Sequence, residues 1–244
     1  MKTRIITLLL AISAILGSTT IQGKELKIYK GNTVVSSVEV SDIDSIKFES
    51  THNGHEYVDL GLSVKWATCN VGATTPEEYG NYYAWGETSP KTTYDWSNYK
   101  YGYEYSMTKY CTNSVFGTVD NKTVLELSDD AAHVNWGGSW RMPTKAEQDE
   151  LKDTNNCTWT WTTQNGVNGY KVTSKKNGNS IFLPAAGYRS GSGLNYAGSY
   201  GYYLSSWLDT DYSNFACLLS FYSSDVYRVS RVRCEGISVR AVCE

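Results

Sequence analysis

The chain has 244 residues, 22 basic and 25 acidic side chains and a formal charge of −3; 41% of its residues are apolar and 14% aromatic. This mildly acidic balance argues against a nucleic-acid partner, which needs clustered Lys and Arg to neutralise phosphates, and no polybasic face for anionic lipid is present. The length suits one domain with a small appendage, large enough to bury a core without relying on disulfides.

Met1–Gly23 reads as a signal peptide. Lys2 and Arg4 precede the apolar run Ile5–Leu16, which is too short to span a bilayer, and Gly17, Ser18, Thr19 and Thr20 follow it. Cleavage is expected in the small, polar stretch ending near Gly23; an uncleaved anchor is the alternative. No cysteine follows the run, so bacterial-type lipidation is not expected. The leader carries two basic and no acidic residues, so its removal takes the formal charge from −3 to −5. The mature chain is expected to lack a transmembrane span and to be exported to the cell surface, the outer membrane or the medium.

Residues 24–50 have the pattern of a small β unit. Leu26–Tyr29 and Val34–Val35 flank Lys30-Gly31-Asn32, a hairpin turn, and Asp42–Phe48 alternates as a further strand. Residues 51–55 have linker composition, and residues 56–244 form the main domain. Its expected strands are Tyr57–Leu60, Ser63–Cys69, Tyr82–Trp85, Trp159–Trp161, Tyr170–Thr173 and Ile181–Pro184, then a meander of Tyr202–Trp207, Phe215–Phe221, Val226–Val232 and Ile237–Val242. Residues 91–132 lack periodicity and read as binding loops. One helix is strongly signalled from Thr144 to about Lys152: Pro143 stops the preceding strand, Thr144 caps, and Glu147 completes a capping box, with Ala146 and Leu151 facing inward. A capped helix among short strands implies an α+β fold rather than a sandwich.

Five segments occur in one order: Tyr57–Ala67, Trp85-Gly86-Glu87, Trp140–Thr144, Leu183–Arg189 and Ser238-Val239-Arg240. In these the chain resembles the Fibrobacter succinogenes major paralogous domain, common in exported proteins of Bacteroides-type bacteria, over roughly residues 56–242. That family is in turn similar to the C-type lectin-like fold of sulfatase-modifying enzymes and of retroelement-diversified receptors. The resemblance implies short antiparallel strands, one or two helices, long loops, and first and last strands that pair. Where the family shows Tyr-Trp-Ser-Ser, this chain has Tyr203-Leu204-Ser205-Ser206-Trp207, so its core tryptophan is either replaced or moved.

Candidate chemistry is sparse. Cys234 and Cys243 do not match the reactive pair of sulfatase-modifying enzymes. The sugar-binding tripeptides of calcium-dependent lectins are absent; Asp209 and Asp211, with Ser213, are the nearest approach to a cation site and lack an EF-hand's glycine and distal glutamate. His133 follows Asp129 and Asp130, but no nucleophile elbow accompanies it. Six cysteines in an exported chain permit bridges, with Cys217–Cys234 the most local candidate pair, or a set of buried free thiols. No cofactor is implied, and no catalytic residue is assigned.

The stronger signal is aromatic. Tyr94, Trp96, Tyr99, Tyr101, Tyr103 and Tyr105 crowd one expected loop, and a second group comprises Tyr196, Tyr200, Tyr202, Tyr203, Trp207, Tyr212, Tyr222 and Tyr227, interleaved with Ser, Asn and Gly. Such composition suits a paratope, since tyrosine offers large contact area with few rotors to freeze. The competing reading is that these rings fill a core or a sheet face. Tyr99, Tyr101, Tyr103, Tyr105, Tyr202, Trp207, Tyr212 and Tyr222 are the expected ligand contacts. The function expected is a non-enzymatic surface module for a glycan or protein ligand. The alternatives are a structural component of a fimbria-like assembly and a retroelement-diversified receptor varied over residues 195–232.

Overall fold

The computed structural model describes residues 25–30, 32–39 and 50–244. The expected leader and the expected strand Asp42–Phe48 lie outside the described residues. The chain divides into two compact units, Met1–Ser50 and Thr51–Glu244. In the first, β1 (Glu25–Lys30) and β2 (Thr33–Glu39) form an antiparallel hairpin whose register shifts between Ile28 and Tyr29.

The second unit is strand-rich with two short helices. Its elements in chain order are β3 (Thr51–His52), β4 (His55–Val58), β5 (Lys65–Ala67), β6 (Tyr82–Tyr83), α1 (Ala131–Trp136), α2 (Lys145–Lys152), β7 (Cys157–Gln164), β8 (Val167–Ser174), β9 (Ser180–Pro184), β10 (Tyr188–Ser190), β11 (Gly193–Asn195), β12 (Tyr200–Leu208), β13 (Phe215–Tyr222), β14 (Asp225–Val232), β15 (Ile237–Ser238) and β16 (Val242–Cys243). The largest sheet runs β14-β13-β12-β15-β6, with β12 and β15 parallel at Tyr203 and Ser238. A second runs β16-β5-β4-β3, a third β7-β8-β9, and β10 and β11 pair alone. The late strand β16 pairs with β5 through Val242 and Trp66, and β5 pairs with β4. The C-terminal strand thus closes against the second strand of the main domain rather than its first.

Alternation along β12 and β13 places a core on each face of the large sheet. Tyr202, Leu204, Ala216 and Leu218 join Trp85, Trp140 and Tyr94 in one cluster. Tyr203, Leu219 and Phe221 join Trp66, Tyr170 and Leu151 in the other. Burial on both faces explains why Phe215–Tyr222 reads as an almost unbroken apolar run. Leu204 is wholly buried in this core, whereas Trp207 is only half-buried.

Helix α2 has the expected cap. Thr144 Oγ1 accepts the Glu147 amide at 3.2 Å, Glu147 Oε2 accepts the Thr144 amide at 2.7 Å, and Arg141 grips the same carboxylate. Thr144→Ala is expected to cost about 1 kcal/mol in chemical denaturation, with Thr144→Ser close to wild type. One inward position differs from expectation. Ala146 is exposed and Gln148 is buried, because its amide donates to the carbonyls of Tyr203 and Leu204 and fastens the helix to β12.

Residues 51–55 are not a linker: they build the β3–β4 hairpin, held by histidine and tryptophan. His55 stacks on Trp136 with ring centroids 4.0 Å apart, His52 Nε2 accepts the Ser139 amide at 3.0 Å, and Trp140 Nε1 donates to the His52 carbonyl at 2.7 Å. Burial pushes the His55 imidazole below its usual range. The unfolded chain therefore binds the extra proton more readily, so the stability tied to a neutral His55 is fully present above the ordinary imidazole value of about 6.5 and is lost as pH falls from there through the lower folded-state value. The melting temperature is expected to drop between about pH 7 and about pH 5, and by less in His55→Phe.

All six cysteines are free. The Cys217–Cys234 bridge does not form. Antiparallel pairing of β13 with β14 sets Cys217 opposite Ser230, and Cys217 Sγ rests 3.8 Å from Ser230 Oγ and 3.7 Å from the Leu208 carbonyl.

Candidate ligand-binding surface

Two loops meet at the connecting end of the β12–β13 hairpin. In the connecting turn, Asp209 Oδ1 accepts the amides of Asp211 at 3.0 Å and Tyr212 at 3.1 Å, and the Phe215 amide closes on the Tyr212 carbonyl at 2.8 Å. The Asp209 side chain is thus committed to shaping the turn. The neighbouring loop, residues 107–120, folds on itself. The amide of Met107 donates to the Phe116 carbonyl at 2.7 Å, and the amide of Thr118 to the Met107 carbonyl at 2.8 Å. Gly117 adopts φ 149°, and a Cβ there would lie 2.2 Å from the Met107 carbonyl oxygen, so this crossing requires glycine.

Side chains join these loops. Buried Ser213 Oγ accepts the Thr112 amide at 3.0 Å, Thr112 Oγ1 donates to the Thr210 carbonyl at 2.9 Å, and Asn214 Nδ2 donates to Glu104 Oε1 at 3.2 Å. Behind them, Arg233 donates to the carbonyls of Tyr110 at 2.9 Å and Ser213 at 3.0 Å, so one buried guanidinium grips both loops. Lys100 Nζ, Lys109 Nζ and Tyr110 Oη reach the Asp129 carboxylate at 2.8, 2.6 and 2.6 Å. Burial alone would raise this carboxyl; the hydrogen bonds outweigh it and hold Asp129 well below the usual carboxylate range.

Over this base runs a row of rings. Tyr105 stacks on Phe116 at 5.9 Å, Phe116 meets Tyr212 at 6.2 Å, and Tyr212 meets Phe215 at 6.2 Å. Tyr105 and Tyr212 are 64% and 59% exposed, whereas Phe116 is buried between them. An open depression of about 690 Å3 adjoins the row, lined by Thr112–Phe116, Val119 and Thr210–Tyr212.

The eight expected contact residues do not share this surface. Tyr105 and Tyr212 come together here, and Tyr103 is exposed on the same loop as Tyr105. Tyr99 and Tyr101 are core residues: Tyr99 Oη donates to the Trp85 carbonyl at 2.7 Å, and both rings face the Arg233 guanidinium at 5.2 and 5.9 Å. Tyr202 is buried as well, beneath Arg231 at 5.1 Å. These three are corrections to the expected contact set, because rings inside a core cannot meet a ligand. Trp207 is half-buried. Tyr222 is half-buried at the far end of β12–β13, in a second aromatic group with Tyr200 at 5.4 Å and Tyr227 at 6.1 Å. Eight residues of strand put that group roughly 25 Å from the Tyr212 turn.

The other candidates are placed as follows. His133 Nδ1 lies 3.1 Å from the Trp140 carbonyl, and Asp130 accepts the amides of Ala132, His133 and Met142, so its carboxylate caps α1 rather than orienting an imidazole. Cys234 and Cys243 are buried, and burial pushes the Cys234 thiol up to about 12 and raises that of Cys243. Among the described residues no group of three His, Cys, Asp or Glu side chains is placed to hold a metal ion. Nor is any helix among them long and apolar enough to cross a membrane.

Phe116 and Asn113 escaped the sequence reading. Phe116 stands alone in an aperiodic loop, and only the Asn113–Gly117 turn residues hint at a folded-back segment. No protein-family profile, curated protein or solved structure matches the chain.

Proposed function

We propose that this chain is an exported, non-enzymatic recognition module of C-type lectin-like architecture that holds a glycan or protein ligand on the Tyr105–Phe116–Tyr212 surface. The observation that carries the reading is the combination of two largely exposed phenol rings with loops locked by internal hydrogen bonds. Exposed aromatic rings on a fixed base bind at little entropic cost, which is the economy of a binding surface. The architecture is supported by the five family segments and by a late strand, β16, that closes on an early one. Export is supported by the sequence of Met1–Gly23.

A glycan array and a pull-down from cell-surface extracts test the reading. Wild type is expected to capture a ligand, and Tyr105→Ser with Tyr212→Ser to lose it while melting as wild type does. Capture unchanged in the double variant removes this surface from the function.

The second reading, a structural component of a surface assembly, is favoured by one feature. Among the described residues β14 is an eight-residue edge strand, paired on one side and free of bulges. Such an edge can accept a strand from a neighbour. Assembly that persists when Val229 is replaced by proline would argue against it.

A further inference from the structure

The ligand surface is chemically selective, and its selectivity follows from which polar atoms are left over. Thr112 Oγ1 and Asn113 Oδ1 are spent on the loop itself, the latter accepting the Val115 amide at 3.0 Å. Asn113 Nδ2, Ser114 Oγ, Thr210 Oγ1 and the Asp211 carboxylate line the depression and make no hydrogen bond to the described residues. These amide, hydroxyl and carboxylate groups share the depression with Phe116 and Tyr212, and Tyr105 stacks on Phe116. No lysine or arginine lines the depression, and its one charge is Asp211.

Resting on the recognition reading above, we propose that this surface takes an uncharged oligosaccharide and does so without a metal ion. A pyranose has an apolar C–H face and a rim of hydroxyls. The first suits a phenol face, and the second suits a mixed set of short donors and acceptors. An anionic sugar would meet Asp211 with no cation to offset it, and like charges brought together on binding are unfavourable. Calcium-mediated binding needs several free oxygen ligands, whereas Asp209 is committed to the turn and leaves one carboxylate. Rings on both sides of buried Phe116 offer two stacking positions, which fits a chain of sugars better than a single one.

The test uses the full chain against neutral gluco-, manno- and xylo-oligosaccharides, with uronic-acid and sulfated oligosaccharides of equal length beside them. Each is measured by calorimetry with and without EDTA. A neutral oligosaccharide is expected to bind equally well with EDTA. Tyr105→Ala and Tyr212→Ala are each expected to weaken it at least about tenfold, and Tyr227→Ala, in the far aromatic group, to leave it unchanged. Binding confined to anionic sugars, or abolished by EDTA, overturns the proposal. If no sugar binds but a cell-surface protein is captured through Tyr105 and Tyr212, the glycan class fails and the recognition reading stands. If neither binds, both fail.

Discussion

Arg233→Ala is expected to destabilise the fold by about 3–5 kcal/mol and to weaken ligand binding even where the variant remains folded. The side chain is 1% exposed, and its hydrogen-bond partners among the described residues are a phenol and backbone carbonyls. Its nitrogens donate to Tyr99 Oη at 2.8 Å and to the carbonyls of Lys109, Tyr110 and Ser213. Its plane also faces the rings of Trp85 at 4.9 Å and of Tyr99, Tyr101 and Tyr110 at 5.2–5.9 Å. A guanidinium tolerates such a site because its charge is delocalised and weakly hydrated, and carbonyl dipoles and ring faces stand in for a counter-ion. Alanine would strand the carbonyls of Lys109, Tyr110 and Ser213 without this donor and empty an aromatic cage. Arg233→Lys is expected to recover only part of the loss, since one ammonium cannot span the same acceptors. Urea denaturation gives the stability. A loss below about 1 kcal/mol in the alanine variant would show that the charge contributes little net stability.

The second large effect is expected at Gly201. It pairs directly with Phe221 across β12 and β13, and a Cβ at this position would lie 2.0 Å from the Phe221 ring. The ring therefore lies over the glycine backbone, the arrangement in which an aromatic side chain covers a weak point of a sheet. Phe221 is wholly buried and packs on Tyr170 at 5.2 Å and Tyr203 at 5.9 Å. Gly201→Ala displaces it, at a cost of about 2–3 kcal/mol despite alanine's better strand propensity. Pairing the change with Phe221→Leu is expected to recover part of the loss. A non-additive double-mutant cycle is the readout.

Much of the second unit was legible because it follows local rules. Thr144 and Glu147 announce α2 through capping chemistry alone, and the β7–β9 and β12–β14 strands follow from apolar alternation and turn residues. Helix α1 was not legible. Its six residues are too short to show a period, and Asp130 caps it while also bonding Met142 twelve residues on. The aperiodic stretch from Lys91 to Ala132 has the pattern of binding loops or poor order, yet its Tyr94, Tyr99, Tyr101 and Tyr110 are buried in the core. Tyr99, Tyr101 and Tyr110 gather around Arg233, more than 120 residues away, and no local window contains that information. The candidate site divided along the same line. Tyr105 and Tyr212 stand out in the sequence as aromatics of polar loops, while their meeting across Phe116 depends on stitching by Ser213 and Thr112 that only the tertiary structure supplies.

The position of Arg233, Arg240 and β16 so late in the chain has a consequence for biosynthesis. Arg240 donates to the carbonyls of Ala67, Thr68 and Phe182, and Val242 pairs with Trp66. A nascent polypeptide leaving the ribosome holds none of these ties until residues 233–243 emerge, so earlier strands wait without their closing partners. The domain should then stay unfolded during synthesis and complete itself in a single late event. A stop codon ahead of Arg233 should therefore abolish the fold rather than trim it.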